Sequence, residues 1–228
     1  MRLAARLAAA ALALCGALWG ASAFAERAGL VRLEPGYGGV CEACDLSGRL
    51  LAGARIVNGV FARANFTNAV MVRVDGSGTI FEGANFSGAD LTDARLVEAK
   101  CDDAQFPEAI LNNADVSRAE LARANLSEAQ ANDTAFDQAD LSRAVMTARN
   151  AEDASFLGAN LRGASLARAQ LQNADFAGAD VTGVNFTRAN LSGANLASAR
   201  GLTQAQMRAA CGDSQTRLPR GVRIALCR

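Results

Sequence analysis

Between Cys44 and Ala199 the chain repeats one five-residue hydrophobic pattern without insertion or deletion. The first place of each repeat is usually alanine, the third is a large apolar residue, and the other places are mostly polar or glycine. On an α-helix this period would rotate each repeat by about 140° from the last, so the apolar residues would not form a stripe. In an extended chain, the first and third residues of successive repeats point to the same side only if the chain turns once per repeat. The pattern therefore predicts short extended segments joined by corners, with the fourth and fifth places in the turns.

Repeats such as Ala84-Asn85-Phe86-Ser87-Gly88 and Ala89-Asp90-Leu91-Thr92-Asp93 resemble the A(D/N)LXX signature of the pentapeptide repeat family. The resemblance extends over about thirty consecutive repeats, roughly two thirds of the chain. It implies an all-β fold, a right-handed quadrilateral parallel β-helix with one repeat per side and twenty residues per coil. The 156 residues in register would then form nearly eight coils, with a length of roughly 37 Å at about 4.8 Å per coil.

The four sides are numbered here by the first coil: side one is 44–48, side two 49–53, side three 54–58 and side four 59–63, each recurring every twenty residues. This register predicts phenylalanine ladders in the core, which indicate packing and not a ligand site. One glycine, Gly76, stands at a third place, and it predicts a local bulge or loop. The ladders are Phe66, Phe86 and Phe106 on side one and Phe136, Phe156 and Phe176 on side three.

Both ends of such a solenoid need covering, because they expose unpaired strand edges and an open core. The sequence predicts four parts: a signal peptide at 1–25, an N-terminal cap segment at 26–43, the repeats at 44–202 and a C-terminal cap at 203–228. Within the last, Thr203-Gln204-Ala205-Gln206 is a capping-box pattern, which predicts a short capping helix. An irregular tail is expected to follow it.

The first 25 residues are typical of a secretory signal. Arg2 and Arg6 precede a long Ala/Leu stretch that ends in Ala23-Phe24-Ala25. Cleavage is expected after Ala25, with a periplasmic or secreted mature protein. A lipoprotein site at Cys15 is less favoured, because bulky Leu14 precedes it.

Five cysteines remain after cleavage. Cys211 and Cys227 are predicted to form a disulfide that ties the tail to the capping helix, whereas pairing of Cys41 with Cys44 stays open. Cys101 occupies a third place and is expected to be an inert core thiol. A zinc site at the CxxC motif is not favoured, because the chain has no histidine.

Side two departs from the pattern where alanine replaces the large third-place residue in two consecutive coils and an arginine stands at an inward place. In the preferred interpretation, the arginine stem fills the volume and its guanidinium reaches solvent. In the other, a groove with a buried cation binds an anionic group of a partner, and three nearby carboxylates compete for that cation. The residues of this possible partner groove are Arg149, Ala131, Ala151, Glu152, Asp153 and Asp133.

The first two coils carry apolar residues at outward places. They form a possible near-end interface, or they are covered by the 26–43 segment, which is adjacent and similarly apolar. The cap interpretation is preferred over a partner or dimer surface. The residues are Leu50, Val57, Val60, Val70, Val72 and Ile80.

The composition argues against catalysis and nucleic-acid binding. Without histidine there is no Ser-His or Cys-His pair, and Lys100 is the only lysine. No catalytic residue, cofactor or metal is therefore predicted. Removal of residues 1–25 leaves 21 basic and 23 acidic residues, a net charge of −2, with both signs mixed along the chain and no basic stripe to bind phosphates.

These observations favour a non-catalytic, exported scaffold of the bacterial envelope, with an unknown protein partner, as a monomer or homodimer. No stable membrane insertion is expected after cleavage. Some cytoplasmic family members are thought to imitate DNA and bind gyrase, so a DNA mimic is the alternative if the signal is not used. An unrecognised enzyme would require a cleft that the repeat does not provide.

Overall fold

A computed structural model of the protein describes residues 39–148 and 150–227, which belong to one compact unit, Leu33–Arg228. Several sequence predictions lie outside the described residues. They are the signal peptide at 1–25 with Cys15, most of the 26–43 segment, and Arg149.

Parallel β-bridges join residues that are twenty apart throughout the repeats, as between Val40 and Val60 and between Asp45 and Asn65. Bridges of this kind start at the second places of nearly all the repeats. Each coil therefore has four sides of five residues, and each side contributes one ladder of stacked, very short strands. The predicted parallel β-helix is confirmed.

The corners are tight turns with one repeating geometry. The N–H of each described first-place residue donates to the third-place carbonyl of the preceding repeat, at 2.9 Å for Ala84 to Phe81 and for Ala89 to Phe86. Fifth-place residues have positive φ, from 52° to 62° for the described non-glycine residues apart from Ala148. Positive φ at the third residue of a hydrogen-bonded turn is the type II geometry, which favours glycine. The high glycine content of the fifth place follows from this requirement.

The preference for Asp or Asn at the second place also has a local cause. The side-chain oxygen of Asn65 accepts from the Thr67 N–H at 3.1 Å, and that of Asp90 accepts from the Thr92 N–H at 3.0 Å. These are Asx turns, in which a short polar side chain satisfies the backbone two residues ahead. Each such contact holds the chain in position as it enters the corner.

The core contains the ladders that the twenty-residue register predicts. Ring centroids of Phe66 and Phe86 are 4.8 Å apart, and those of Phe86 and Phe106 are 4.7 Å apart, with nearly parallel planes. Phe136, Phe156 and Phe176 stack in the same way on side three. Stacking of this kind adds about 0.5–1.5 kcal/mol per pair to the burial of the rings.

The predicted bulge at Gly76 is wrong. Asp75 keeps its bridge to Arg95, and the Gly76 N–H donates to the Arg95 carbonyl at 2.8 Å, as in a regular coil. A methyl group built on Gly76 would lie 3.1 Å from Leu96 Cδ2 and 3.3 Å from Phe81 Cε2. Neighbouring large side chains therefore occupy the space that a third-place side chain would take, and the backbone has no need to move.

Beyond the repeats the structure has one helix and two strands: α1 (Gln204–Arg208), β1 (Cys211–Gly212) and β2 (Ala225–Leu226). Both hydrogen bonds of the capping box between Thr203 and Gln206 are present. Gln206 Nε2 also donates to the carbonyls of Val181 and Val184, at 2.9 and 3.0 Å. These bonds join α1 to the last full coil.

The segment after α1 continues the solenoid. Cys211 bridges in parallel to Asn190, Arg217 bridges to Asn195, and β2 pairs in parallel with β1. The tail is therefore less irregular than expected. Its strands were missed because the inserted helix interrupts the five-residue period from which strands are recognised.

Two pairs of cysteines lie within bonding distance, and each pair forms a disulfide. The Cα atoms of Cys211 and Cys227 are 4.8 Å apart, and those of Cys41 and Cys44 are 5.5 Å apart. Cys101 is fully buried, and burial raises the pKa of its thiol far above the usual range. Within the described residues, no helix has the length and apolar character needed to cross a bilayer.

Candidate functional site

The most marked irregularity of the coils lies where sides one and two meet in the fifth to seventh coils. Ala131 and Ala151 are both buried at third places of side two, where other coils have leucine or methionine. A shallow depression forms beside them because two consecutive large side chains are missing. Its lining residues are Leu126, Ala129, Ala131, Met146, Thr147, Asn150, Ala151, Leu166 and Ala169.

The backbone at the rim of this depression departs from the regular corner. Ala148 has a φ of 80°, outside the 52° to 62° of the other described non-glycine fifth places. On side two beside this corner, the Ala131 N–H donates to the Asn150 carbonyl at 2.7 Å, and Asn150 bridges to Gln170. Arg149, which the sequence places at this corner, lies outside the described residues.

A ladder of polar side chains follows the fourth places of side two. Asn112 accepts from the Asn132 N–H at 3.0 Å, Asn132 accepts from the Glu152 N–H at 3.1 Å, and Glu152 accepts from Gln172 Nε2 at 3.2 Å. Gln172 Oε1 is buried and has no hydrogen-bond partner among the described residues. A buried acceptor without a donor is unfavourable by about 1–3 kcal/mol.

The predicted groove carboxylates lie on one edge of this surface. Asp133 and Asp153 are exposed at equivalent fifth places of successive coils, and Glu152 is half-buried beside them. Stacked strands are about 4.8 Å apart, so the two aspartates carry like charges on neighbouring rungs. Ala131 and Ala151 line the depression, whereas the three carboxylates follow them at the fourth and fifth places of side two and are not among its lining residues.

The enclosed space in the depression is small. It amounts to about 10 Å³, which is close to the minimum for one water molecule. Pockets that bind small molecules typically enclose about 300–1,000 Å³. The depression is therefore far smaller than a pocket of that kind.

The near-end apolar residues do not form one patch. Val60 and Ile80 stack with Val40 on side four, whereas Leu50 and Val70 stack on side two. Sides two and four are opposite faces of a four-sided coil. Val57 and Val72 lie in corners of side three and side two, respectively. The largest exposed fractions are those of Val40, 71%, and Leu50, 49%.

Charged residues on the coils pair between neighbouring rungs. Arg123 binds Asp103 through two hydrogen bonds, at 2.8 and 2.6 Å, and Arg118 binds Glu98 at 2.9 Å. The hydrogen bond from Arg123 lowers the pKa of Asp103. Such exposed pairs usually contribute only about 0–1 kcal/mol to stability.

Side chains that could take part in catalysis or metal binding are scattered over the coils or buried, within the described part of the chain. Lys100 is exposed on side four, and the neighbouring Cys101 thiol points into the core and is inaccessible. Residues 39–148 and 150–227 contain no group of three carboxylate or cysteine side chains placed to hold a metal ion.

Sequence reasoning missed one charged surface. The segment from residue 186 to residue 227 contains six arginines and one acidic residue, Asp213. The net charge of the whole chain does not reveal this excess of arginine, because the acidic residues of the coils balance it. A count for each segment would have found it.

Comparison with known proteins agrees with this architecture. The family model described as "Pentapeptide repeats" matches eight copies within residues 60–96, 99–138, 139–176 and 169–210. No curated protein matches the chain in sequence.

Two solved structures show the same fold. HetL, a pentapeptide repeat protein involved in heterocyst differentiation regulation from the cyanobacterium Nostoc sp. strain PCC 7120, is 27% identical with a TM-score of 0.58. The match covers 87% of this chain and 89% of HetL. QnrB1, a plasmid-mediated fluoroquinolone resistance protein, is 18% identical with a TM-score of 0.61. That match covers 77% of this chain and 91% of QnrB1, and it bears on the fold alone.

The five-residue period, the four-sided parallel coils and the family match lead to one conclusion. This chain belongs to the pentapeptide repeat family and has the right-handed quadrilateral β-helix of that family.

Proposed function

We propose that this protein is a non-catalytic interaction scaffold that acts through the outer surface of its coils. The observation that carries the proposal is the depression of about 10 Å³ on an otherwise regular solenoid, which is too small to enclose a substrate. Pentapeptide repeat proteins are generally structural or binding proteins, and this chain has the solenoid surface that such binding uses.

The proposed partner site is the side-two groove around Ala131 and Ala151. Three features support it: the missing side-chain volume, the irregular corner at Ala148 and the unpartnered oxygen of Gln172. Arg149 would contribute a cation that holds an anionic group of a protein partner. Asp133, Asp153 and Glu152 would limit access to that cation and so select the partner.

Affinity capture with the purified chain tests this site. Ala131→Leu with Ala151→Leu restores the usual third-place residue and fills the depression, so the double variant is expected to lose the partner while keeping its fold. Arg149→Ala is expected to lose the same partner. The control is Leu111→Met, a volume-conserving change in the same ladder, which should leave capture unchanged.

A second control separates local charge from net charge. Glu82→Gln with Glu120→Gln removes two exposed carboxylates from side four, the face opposite the groove. Asp133→Asn with Asp153→Asn removes two from the groove edge. The proposal predicts that only the double variant at the groove edge, Asp133→Asn with Asp153→Asn, changes the amount of partner that is captured. Equal effects of both pairs, or no effect of filling the depression, would count against the site.

We further propose export to the bacterial envelope, as a monomer or homodimer. The signal-like residues 1–25 and the two cysteine pairs support it, since disulfides persist mainly in oxidising compartments. Cell fractionation with N-terminal sequencing should find a mature chain beginning at Glu26 outside the cytoplasm. Recovery of the intact N-terminus in the cytosol would contradict export.

The ends of the solenoid are proposed to be capped by the chain itself. At the C-terminal end, α1 with buried Met207 and the β1–β2 pair would cover the last coil. At the other end, residues 26–43 would cover the first coil. Analytical ultracentrifugation should then find no open-ended polymer.

A DNA mimic that binds gyrase is the second candidate, and one observation favours it. Residues 39–185 contain 20 acidic and 12 basic residues, a net charge of −8. A supercoiling assay with the chain beginning at Glu26 tests this function, which predicts inhibition that Asp133→Asn with Asp153→Asn weakens. Export of the protein would separate it from gyrase and dismiss this candidate.

A further inference from the structure

Charge is distributed unequally along the solenoid. Residues 39–185 have a net charge of −8, whereas residues 186–227 carry six arginines and one aspartate, a net charge of +5. The two parts are consecutive in one compact unit. The described chain is therefore a dipole with a basic C-terminal end and acidic coils.

The six arginines are gathered at the end of the solenoid by the elements already described. Arg200 is on the last rung of side four, Arg208 is in α1, and Arg217 is on the rung above Asn195. The Arg223 backbone lies against Gln204, donating to Oε1 at 3.0 Å and accepting from Nε2 at 2.9 Å. All six side chains are exposed: Arg188, Arg200, Arg208, Arg217, Arg220 and Arg223.

These arginines have no acidic partner in the described chain. The ion pairs between described residues involve arginines of the coils up to Arg162, and none of the six. The only acidic residue of the segment, Asp213, accepts hydrogen bonds from the backbone of Gly193, Gln215 and Thr216. None of the six is therefore in an ion pair between described residues, although Asp180 stands on the rung next to Arg200.

An apolar side chain is exposed within the same basic end. β2 is the outermost strand, and its Leu226 is 70% exposed. Ala225 beside it is also exposed. An exposed leucine in a basic segment is the composition of surfaces that bind the headgroup region of an anionic bilayer.

We propose that the basic C-terminal end of the solenoid docks on an anionic phospholipid surface, with the acidic coils directed away from it. The arginines would bind lipid phosphates, and Leu226 would enter the headgroup region. Surface potential falls off over about 8–10 Å at moderate ionic strength. Acidic coils that lie farther from the bilayer than this distance would therefore be little repelled by it. End-on docking is for this reason the favoured orientation.

Nucleic acid offers the same phosphates, but the described residues favour lipid. Proteins that bind single strands stack bases on exposed aromatic rings, and residues 187–227 contain no Phe, Tyr or Trp. A duplex backbone also offers no apolar region for Leu226. The proposal does not depend on the scaffold function or on export, so its failure would leave both untouched.

Vesicle co-sedimentation of the full chain tests the proposal. We expect binding to phosphatidylcholine vesicles that contain about 30% phosphatidylglycerol, no binding to phosphatidylcholine alone, and loss of binding at about 0.5 M salt. Each arginine near such a surface raises the partition coefficient about fivefold. Arg220→Gln with Arg223→Gln should therefore lower it about 25-fold.

The matched control removes the same charge elsewhere. Arg73→Gln with Arg95→Gln neutralises two exposed arginines of the coils, and it should leave vesicle binding unchanged. Leu226→Ser should weaken binding without altering its salt dependence. Circular dichroism of each variant verifies that it is folded.

Three outcomes would overturn the proposal: no binding to anionic vesicles, equal losses in the Arg220/Arg223 and Arg73/Arg95 variants, or binding to duplex DNA but not to vesicles. The last would assign the basic end to nucleic acid.

Discussion

At the scale of single residues, each place of the repeat has a physical cause. Asp or Asn at the second place accepts the fourth-place N–H, as Asp140 accepts from the Ser142 N–H at 2.9 Å. Fifth-place residues adopt positive φ. A buried polar residue is also satisfied, because the Thr134 hydroxyl donates to the Leu111 carbonyl at 2.8 Å. Sequence predicted which residues enter the core, but not that Phe81 and Leu96 fill the space beside Gly76, since that packing joins different repeats.

The packing around Gly76 can be tested by adding one methyl group. Gly76→Ala places a methyl 3.1 Å from Leu96 Cδ2, and overpacking of this kind is expected to lower the free energy of unfolding by about 1–3 kcal/mol. Urea denaturation followed by circular dichroism measures the change. Gly76→Ala combined with Leu96→Val should recover part of the loss. Unchanged stability of Gly76→Ala would show that the space is empty.

Corner strain can be tested separately at Gly53. Its φ is 68°, and a methyl group there would meet no atom within 4 Å. Gly53→Ala is therefore expected to lower the free energy of unfolding by about 1 kcal/mol through backbone strain alone. The same denaturation experiment measures it. A stabilised Gly53→Ala variant would contradict the type II geometry of the corner.

Acid stability should depend on Asp213. The hydrogen bond from the Gly193 N–H, with further bonds from Gln215 and Thr216, lowers the pKa of this carboxyl below its ordinary value of 3.8. A group with a lowered folded pKa stabilises the fold above its unfolded pKa, and that contribution is lost as pH falls through the folded pKa. Asp213→Asn should therefore lower the free energy of unfolding at neutral pH. On acidification this variant should lose less stability than the unsubstituted protein. Asp153→Asn is the charge control, and equal pH profiles for both variants would contradict this role.

At the scale of elements, the chain builds the repeats and the C-terminal end differently. The repeats could be predicted from the sequence, because the same hydrophobic pattern returns every five residues and each repeat ends in the same kind of turn. The capping box also marked the start of α1 correctly. β1 and β2 have only two residues each and follow no five-residue period, so their pairing depends on contacts with the last coil that local sequence does not display.

The Cys211–Cys227 pair should determine whether β2 stays in place. It closes a loop with a sequence separation of 16, for which the chain-entropy model gives a stabilisation of about 3 kcal/mol. Cys227→Ser should lower the free energy of unfolding by about this amount, and reduction, which also opens Cys41–Cys44, by more. Cys101→Ser controls for loss of a thiol and should not alter the response to reduction. Free thiols at Cys211 and Cys227 in the oxidised protein would contradict the pairing.

At the scale of the whole molecule, the period of five does not by itself set the number of sides. Resemblance to a family supplied the coil of twenty residues, and the bridges between residues twenty apart agree with it. The candidate site was predicted in part, because Ala131 and Ala151 break a visible pattern. The basic end was not, because its arginines are spread over 36 positions from Arg188 to Arg223 and belong to different elements, the last repeats, α1 and the tail.

A crystal structure of the chain tests the central claim most directly, through the Cα distances between residues twenty apart. The account predicts about 4.8 Å at successive rungs along all four sides, with the rings of Phe66, Phe86 and Phe106 stacked in one column. A helical bundle, or any register other than twenty residues per coil, would contradict it.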